Sequence, residues 1–208
     1  MSGRTRRGRR WMDEHVDDEF VRRAKKEGWR SRAVYKLSEI LEKDRLLKPG
    51  MTVVDLGAAP GAWSQYAAGA VGRHGRVIAV DLLPMDALAG VEFIEGDFRE
   101  QGTLEALQAA LGDTRPGLVL SDMAPNISGV TSVDQPRGMY LAELALDFAR
   151  AQLAPGGGLV TKVFQGAGSD ALVAEARKHF ETVRMRKPKA SRDRSREIYL
   201  VAGNYRVM

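Results

Sequence analysis

Residues 52–63, T-V-V-D-L-G-A-A-P-G-A-W, change character three times within one short stretch. Thr52, Val53 and Val54 form a β-branched run suited to a buried strand. Asp55 breaks the apolar run, Gly57 and Gly61 bracket a tight turn, and residues 62–70 read as a helix. A strand, a glycine turn and a helix in that order bring a nucleotide-like ligand against a helix N-terminus.

The rest of the chain repeats the strand–helix alternation. Residues 1–11 read as a disordered basic arm, and 12–26 as a helix with Val16, Phe20 and Ala24 on one face, ended by Gly28. Ser31 caps a second helix over 32–43, whose apolar stripe is Val34, Leu37, Ile40 and Leu41 and which also carries Lys36. After the first strand and its helix, R-V-I-A-V-D makes a second strand ending at Asp81, and V-E-F-I a third that ends before Asp97. A helix over 103–111 leads to G-L-V-L-S-D, a fourth strand ending at Asp122. Residues 123–136 are rich in Pro, Gly, Asn and Ser and read as a loop, followed by a helix over 138–153. L-V-T-K-V-F is the fifth strand, 169–180 a helix, and 182–186 and 198–202 the closing strands. Such alternation means a mostly parallel α/β sheet with helices on both faces. The last two strands have no helix between them, so one of them should run antiparallel. The expected organisation is the arm plus a single domain over 12–208.

Composition removes several chemistries. The 208 residues include no cysteine, which excludes disulfides, thiolate metal sites and a cysteine nucleophile. His15, His74 and His179 are scattered, so no metal site is expected. No apolar run is long enough for a membrane span, and none follows the basic start as a secretory signal would require. The net charge of +5 is concentrated at Arg4–Arg10 and again over 184–196. Two local basic clusters are the footprint of a polyanion partner.

Ligands of such sheets bind outside the carboxyl ends of the strands, where the strand order reverses. Asp55, Asp81, Asp97 and Asp122 stand at the ends of four successive predicted strands and should converge on one crevice. Asp81, twenty positions after Gly61, suits a ribose diol, because a carboxylate accepts two hydroxyl hydrogen bonds. NAD would need G-x-G-x-x-G, which Gly57-Ala-Ala-Pro-Gly61 is not, and Pro60 lacks an N–H that a pyrophosphate would use. An acidic crevice favours a phosphate-free ligand with a positive end. S-adenosylmethionine has both properties, with Asp97 accepting from the adenine amine and Trp63 lining the pocket; a core position for Trp63 is the competing expectation.

Lys36, Asp122, Lys162 and Glu197 are not needed merely to hold such a ligand. Lys162 lies inside a strand, which is costly unless it is paired, and Asp122 on the neighbouring predicted strand could pair with it. A second lysine nearby favours the neutral amine by like-charge repulsion, the form a general base requires. A methyl donor beside such a lysine points to methylation of a hydroxyl. Carbon methylation of pyrimidines usually uses a cysteine, which is absent, and exocyclic amine methylation an aromatic that Asp122-Met-Ala-Pro-Asn126 lacks. A ribose hydroxyl fits best.

With those residues in place, the chain resembles the FtsJ/RlmE family of ribosomal RNA 2′-O-methyltransferases. The resemblance rests on S-R-A-V-Y-K-L, D-L-G-A-A-P-G-A-W, V-D-L-L-P-M, S-D-M-A-P-N, K-V-F-Q-G and S-R-E-I-Y, and covers residues 11–205. It implies a Rossmann-like class I methyltransferase fold with a seven-stranded sheet, and a Lys-Asp-Lys-Glu tetrad at Lys36, Asp122, Lys162 and Glu197. It also implies cofactor contacts at Gly61, Trp63, Asp81, Asp97 and Asp122, to which the first strand and turn add Asp55 and Gly57. Its substrate would be a uridine of 23S rRNA in the assembled large (50S) subunit; the tetrad alone would equally serve transfer RNA or an RNA cap. An RNA-binding assembly factor with the same fold is the non-enzymatic alternative. Ala62 departs from the family, which usually has a second glycine after the proline. Arg30, Arg32, Lys189, Arg192, Arg194 and Arg196, with the basic arm, are the expected RNA contacts. The protein is expected to be a cytoplasmic monomer without membrane or metal.

Overall fold

The computed structural model describes residues 18–126, 128–192 and 195–207. The expected basic arm, the start of the first predicted helix and Arg194 lie outside the described residues.

Helix α1 (Glu19–Glu27) begins where the Asp18 carboxylate accepts the Phe20 N–H at 3.0 Å, and stops at Gly28 in the left-handed conformation. Helix α2 is Val34–Asp44. Ser31 acts just ahead of it, its Oγ accepting the Ala33 N–H at 3.2 Å. Then follow β1 (Thr52–Leu56), α3 (Ala62–Val71), β2 (Arg76–Asp81), β3 (Val91–Glu95), α4 (Gln101–Leu111) and β4 (Leu118–Ser121). The remainder is α5 (Thr131–Gln152), β5 (Gly158–Phe164), α6 (Ser169–His179), β6 (Phe180–Arg186) and β7 (Glu197–Tyr205).

The seven strands form one sheet in the order β3-β2-β1-β4-β5-β7-β6. Strands β1 to β5 pair in parallel, whereas β7 is antiparallel to both β5 and β6. The α/β class and the single reversed strand are as expected. The chain builds outward from β1 to β3, then returns to the other side of β1 with β4, so the order reverses between β1 and β4. One sheet face is covered by α2 and α3, through Leu37, Ile40, Leu41, Trp63, Ala67 and Val71 against Val53, Leu120, Val160, Tyr199 and Val201. The other face packs α4, α5 and α6 against Val54, Leu56, Ile78, Val119, Leu159 and Leu200. Side chains alternate between faces along each strand, so both faces of these central strands are apolar and buried.

One boundary needs correction. Helix α5 starts at Thr131, not near 138, and contains Pro136. The loop-like composition is overridden by two anchors. The Asp134 carboxylate accepts the N–H groups of Ser128 (2.9 Å) and Gly129 (3.0 Å), and Gln135 donates its amide to the carbonyls of Phe164 (2.8 Å) and Ala167 (3.2 Å). These bonds hold the first two turns and offset the intrahelical bond that Pro136, at the sixth position, cannot make.

Candidate active site

The parallel strands deliver their acids to one edge. Asp55 lies near the end of β1, Asp81 ends β2, Asp97 follows β3 by two residues, and Asp122 directly follows β4. Because β7 runs the other way, its first residue reaches the same edge: Glu197 is in register with Phe164, and Tyr199 with Lys162.

At the β4–β5–β7 end, Lys162 is only 7% exposed. Its Nζ donates to Asp122 Oδ1 at 2.9 Å and to the Asp122 main-chain carbonyl at 2.8 Å, and lies 3.9 Å from Glu197 Oε1. Lys36, from α2, donates to Glu197 Oε2 at 3.1 Å. Two carboxylates and two ammoniums thus alternate, which is how a buried lysine is made tolerable. Burial works to raise the Asp122 carboxyl, but the Lys162 and Lys36 charges and the bonds from Lys162 and Tyr199 outweigh it and hold it below its ordinary range. An ammonium has three N–H groups, and two of those on Lys162 face Asp122. The third is left for an oxygen brought to the edge of the sheet.

Tyr199 belongs to this cluster, and sequence reasoning missed it. The residue is fully buried and its hydroxyl donates to Asp122 Oδ1 at 2.8 Å. Burial, with Asp122 and Glu197 close by, raises the phenol well above its ordinary pKa, so it remains a donor. Its ring centroid lies 5.9 Å from Lys36 Nζ and 5.7 Å from the Trp63 ring. The available signal was its spacing of two from Glu197, which puts both side chains on one face of the strand.

At the β1–β2–β3 end the acids have different partners. Asp81 accepts the N–H groups of Ala59 (Oδ2) and Leu83 (Oδ1), both at 2.8 Å. Asp97 is gripped by Arg99, whose Nε and main-chain N–H both reach Oδ1 at 2.9 Å; these bonds lower its carboxyl pKa. Asp55 is fully buried, with Oδ2 accepting the Ser64 hydroxyl at 2.6 Å. Burial pushes its carboxyl up to about 7 against the Ser64 bond, and the charges of Asp122 and Asp81 add to the rise. Among the described residues, its Oδ1 is one of two buried side-chain atoms without a hydrogen-bond partner. The Trp63 ring is 2% exposed and donates its indole N–H to the Ala33 carbonyl at 2.8 Å, so the ring occupies the core and not a pocket wall. The glycines are sterically required. A Cβ on Gly57 (φ +76°) would fall 2.8 Å from the Met123 N and 2.9 Å from its Cα, both backbone atoms. Gly61 (φ +101°) would bring a Cβ within 2.7 Å of Met85 Sδ.

The model of the FtsJ-like methyltransferase family matches residues 29–205. The chain belongs to the FtsJ-like methyltransferase family. It is 57% identical over 207 residues to proteins named ribosomal RNA large subunit methyltransferase E from Xanthomonas oryzae pv. oryzae strains PXO99A and MAFF 311018, covering all of this chain and 99% of each relative. Its fold resembles a crystal structure of a ribosomal RNA methyltransferase from Plasmodium falciparum, with a TM-score of 0.75, 29% identity, and coverage of 85% of this chain and 98% of the other. An rRNA-methylase structure from Clostridium thermocellum shares the fold at a TM-score of 0.55 and 19% identity, over 80% of this chain and 96% of that one.

A methyltransferase of this family needs a place for its methyl donor, and the β1–β3 end fits one with a positive centre. The left-handed glycine turn has Asp81 beside it, with one lone pair on each oxygen uncommitted, and the buried Asp55 Oδ1 lacks a donor. The expected RNA contacts divide. Arg30 and Arg32 are half-buried, and their guanidiniums are engaged by main-chain carbonyls and, for Arg32, by the Asp18 carboxylate. Arg30 bonds the main-chain carbonyls of Pro60, Asp86 and Ala87. Arg32 is held by Asp18 and the Ala190 carbonyl, with Phe20 beneath it. Lys189 and Arg196 are exposed and Arg192 is half-buried, on the segment between β6 and β7. Among the described residues no helix is long and apolar enough to cross a membrane, and no group of His, Cys, Asp or Glu could hold a metal ion.

Proposed function

We propose that this methyltransferase moves a methyl group from S-adenosylmethionine to the 2′-hydroxyl of a uridine in 23S rRNA of the large ribosomal subunit. The observation that carries the reading is the Lys162 ammonium, buried between Asp122 and Glu197 with one N–H unassigned. S-adenosylmethionine supplies, when bound, a methyl group on a cationic sulfur that is already activated.

The protein's own residues do the remainder. Asp81 accepts from the donor's ribose hydroxyls, having one bond on each oxygen and a lone pair to spare. Asp97 accepts from the adenine amine. Gly57 and Gly61 let the main chain approach the donor, and Trp63 contributes its N–H in the first turn of α3, where helix N–H groups lack intrahelical partners. Asp55 carries the turn from behind through Ser64. Lys162 meets the 2′-hydroxyl: as the neutral amine it takes the hydroxyl proton and becomes the ammonium, which can only donate its third N–H to the oxygen. Asp122 orients Lys162, and Glu197 links it to Lys36. Positioning supplies most of the acceleration.

The names of the relatives support ribosomal RNA as the substrate. Lys189, Arg192 and Arg196, on the segment between β6 and β7, are the RNA contacts of this reading, and the protein acts in the cytoplasm as a monomer. The test is methyl transfer from labelled donor to large subunits that lack the modification. Label should appear on one uridine of 23S rRNA, with the bond on its 3′ side resistant to alkali, because a blocked 2′-oxygen cannot cleave the strand. Label on a base or on transfer RNA would overturn the assignment, and subunit binding without label would favour an assembly factor.

A further inference from the structure

Arg30 lies in the turn between α1 and α2. Its Nη1 donates to the carbonyls of Pro60 (3.0 Å) and Asp86 (2.7 Å), and its Nη2 to that of Ala87 (2.8 Å). The turn itself is fixed on α3: the Arg30 N–H donates to Gln65 Oε1 at 3.1 Å, and Gln65 Nε2 donates to the Gly28 carbonyl at 3.0 Å. The three carbonyls come from two loops far apart in sequence. One is the glycine turn after β1; the other is the segment 82–90 after β2.

Segment 82–90 contains no helix or strand. Apart from Arg30, its described fastenings are the Leu83 N–H on Asp81 and the Val91 N–H on the Leu88 carbonyl. The segment nevertheless sits on the glycine turn. A Cβ on Gly61 would meet Met85 Sδ at 2.7 Å, Arg30 Nη1 at 2.9 Å and Leu88 Cδ1 at 3.0 Å. The guanidinium therefore lies where the two loops converge, and its planar fork of donors suits several carbonyls at once. Asp81, which holds Ala59 on one loop and Leu83 on the other, stands on the same seam.

We propose that Arg30 is a positioning residue of the donor site: it clamps segment 82–90 to the glycine turn and so sets donor affinity, without contacting RNA. The inference rests on the reading that S-adenosylmethionine binds between these loops. A loop ordered in advance costs nothing to order on binding; without the clamp, that entropy is charged to the ligand.

The experiment titrates S-adenosylmethionine calorimetrically into RNA-free wild type, Arg30→Ala and Arg30→Lys, and measures methyl transfer and large-subunit binding against salt. For Arg30→Ala the donor Kd and KM should both rise about tenfold, with kcat at saturating donor within about twofold of wild type. The salt dependence of subunit binding should not change. Arg30→Lys keeps the charge but not the fork and should fall between; it also carries the test if the alanine variant does not fold, since an unchanged donor Kd in Arg30→Lys overturns the clamp. Unchanged donor binding in Arg30→Ala, with weaker subunit binding and a salt slope shallower by about one, would make Arg30 an RNA contact and refute the proposal. Failure of the wild type itself to bind S-adenosylmethionine would refute the donor reading, and the clamp with it, and is distinguished by the wild-type titration alone.

Discussion

The two ends of the active-site edge hold their acids differently. On β1–β3, Asp81 is met by two main-chain N–H groups and Asp55 by a serine, while Asp97, alone of the three, is met by a charged side chain, the exposed Arg99. On β4–β5–β7, Asp122 and Glu197 are met by lysines. Main-chain donors fix a carboxylate in space and add no mobile charge, which suits groups that must present lone pairs to a ligand. Lysines bring protons, which suits groups that handle a hydroxyl. Under the proposed function the contrast divides the labour: one end would hold the methyl donor, the other would prepare the acceptor. The ends meet at the Gly57–Met123 contact, where a single Cβ would force backbones apart.

If that division holds, damage to one end should leave the other working. Asp81→Ala should weaken S-adenosylmethionine binding by about 1–3 kcal/mol, roughly five- to 150-fold, with most of kcat recovered at saturating donor. Equilibrium binding and saturation kinetics check this, and an unchanged Kd would remove the ribose role. Tyr199→Phe deletes one hydrogen bond to Asp122 and should lower kcat about tenfold while donor Kd stays constant. A larger effect on donor affinity than on turnover would break the division at its centre.

The smallest effect concerns pH. The Asp55 carboxyl is raised to about 7 in the fold, against an ordinary value of 3.8. Across that interval the folded protein keeps a proton that the unfolded chain has lost. The group's contribution is therefore greatest below pH 4, declines as pH rises toward 7 and is flat above. Asp55→Asn cannot titrate, so thermal melts should show the variant gaining on wild type by about a few degrees between pH 5 and 8. Parallel melting curves would mean that Asp55 is charged throughout.

The fold and the Asp122–Lys162 pair were legible in the sequence as local pattern, whereas Lys36 and Glu197 joined them through the family resemblance, because their partners lie far away in the chain. Apolar runs ending in Asp81 and Asp122 mark strand ends, and a lysine inside L-V-T-K-V-F demands a partner. What was not legible depends on which distant atoms a long or planar side chain meets. Arg30 looks like a surface cation until the fold brings the Asp86 and Ala87 carbonyls to it. Trp63, one residue into a helix at a ligand turn, could have faced either way, and the Ala33 carbonyl drew it inward. Pro136 and its polar neighbours read as loop because the Gln135 anchor lies on residues 164 and 167.

The most direct test of the division is Lys162→Ala, assayed for both functions in one preparation. Single-turnover methyl transfer to large subunits should fall by about a thousandfold or more, as for loss of an essential proton-handling group, while calorimetry shows S-adenosylmethionine bound within about threefold of wild type. Near-normal transfer, or a loss of donor binding as large as the loss of transfer, would contradict it.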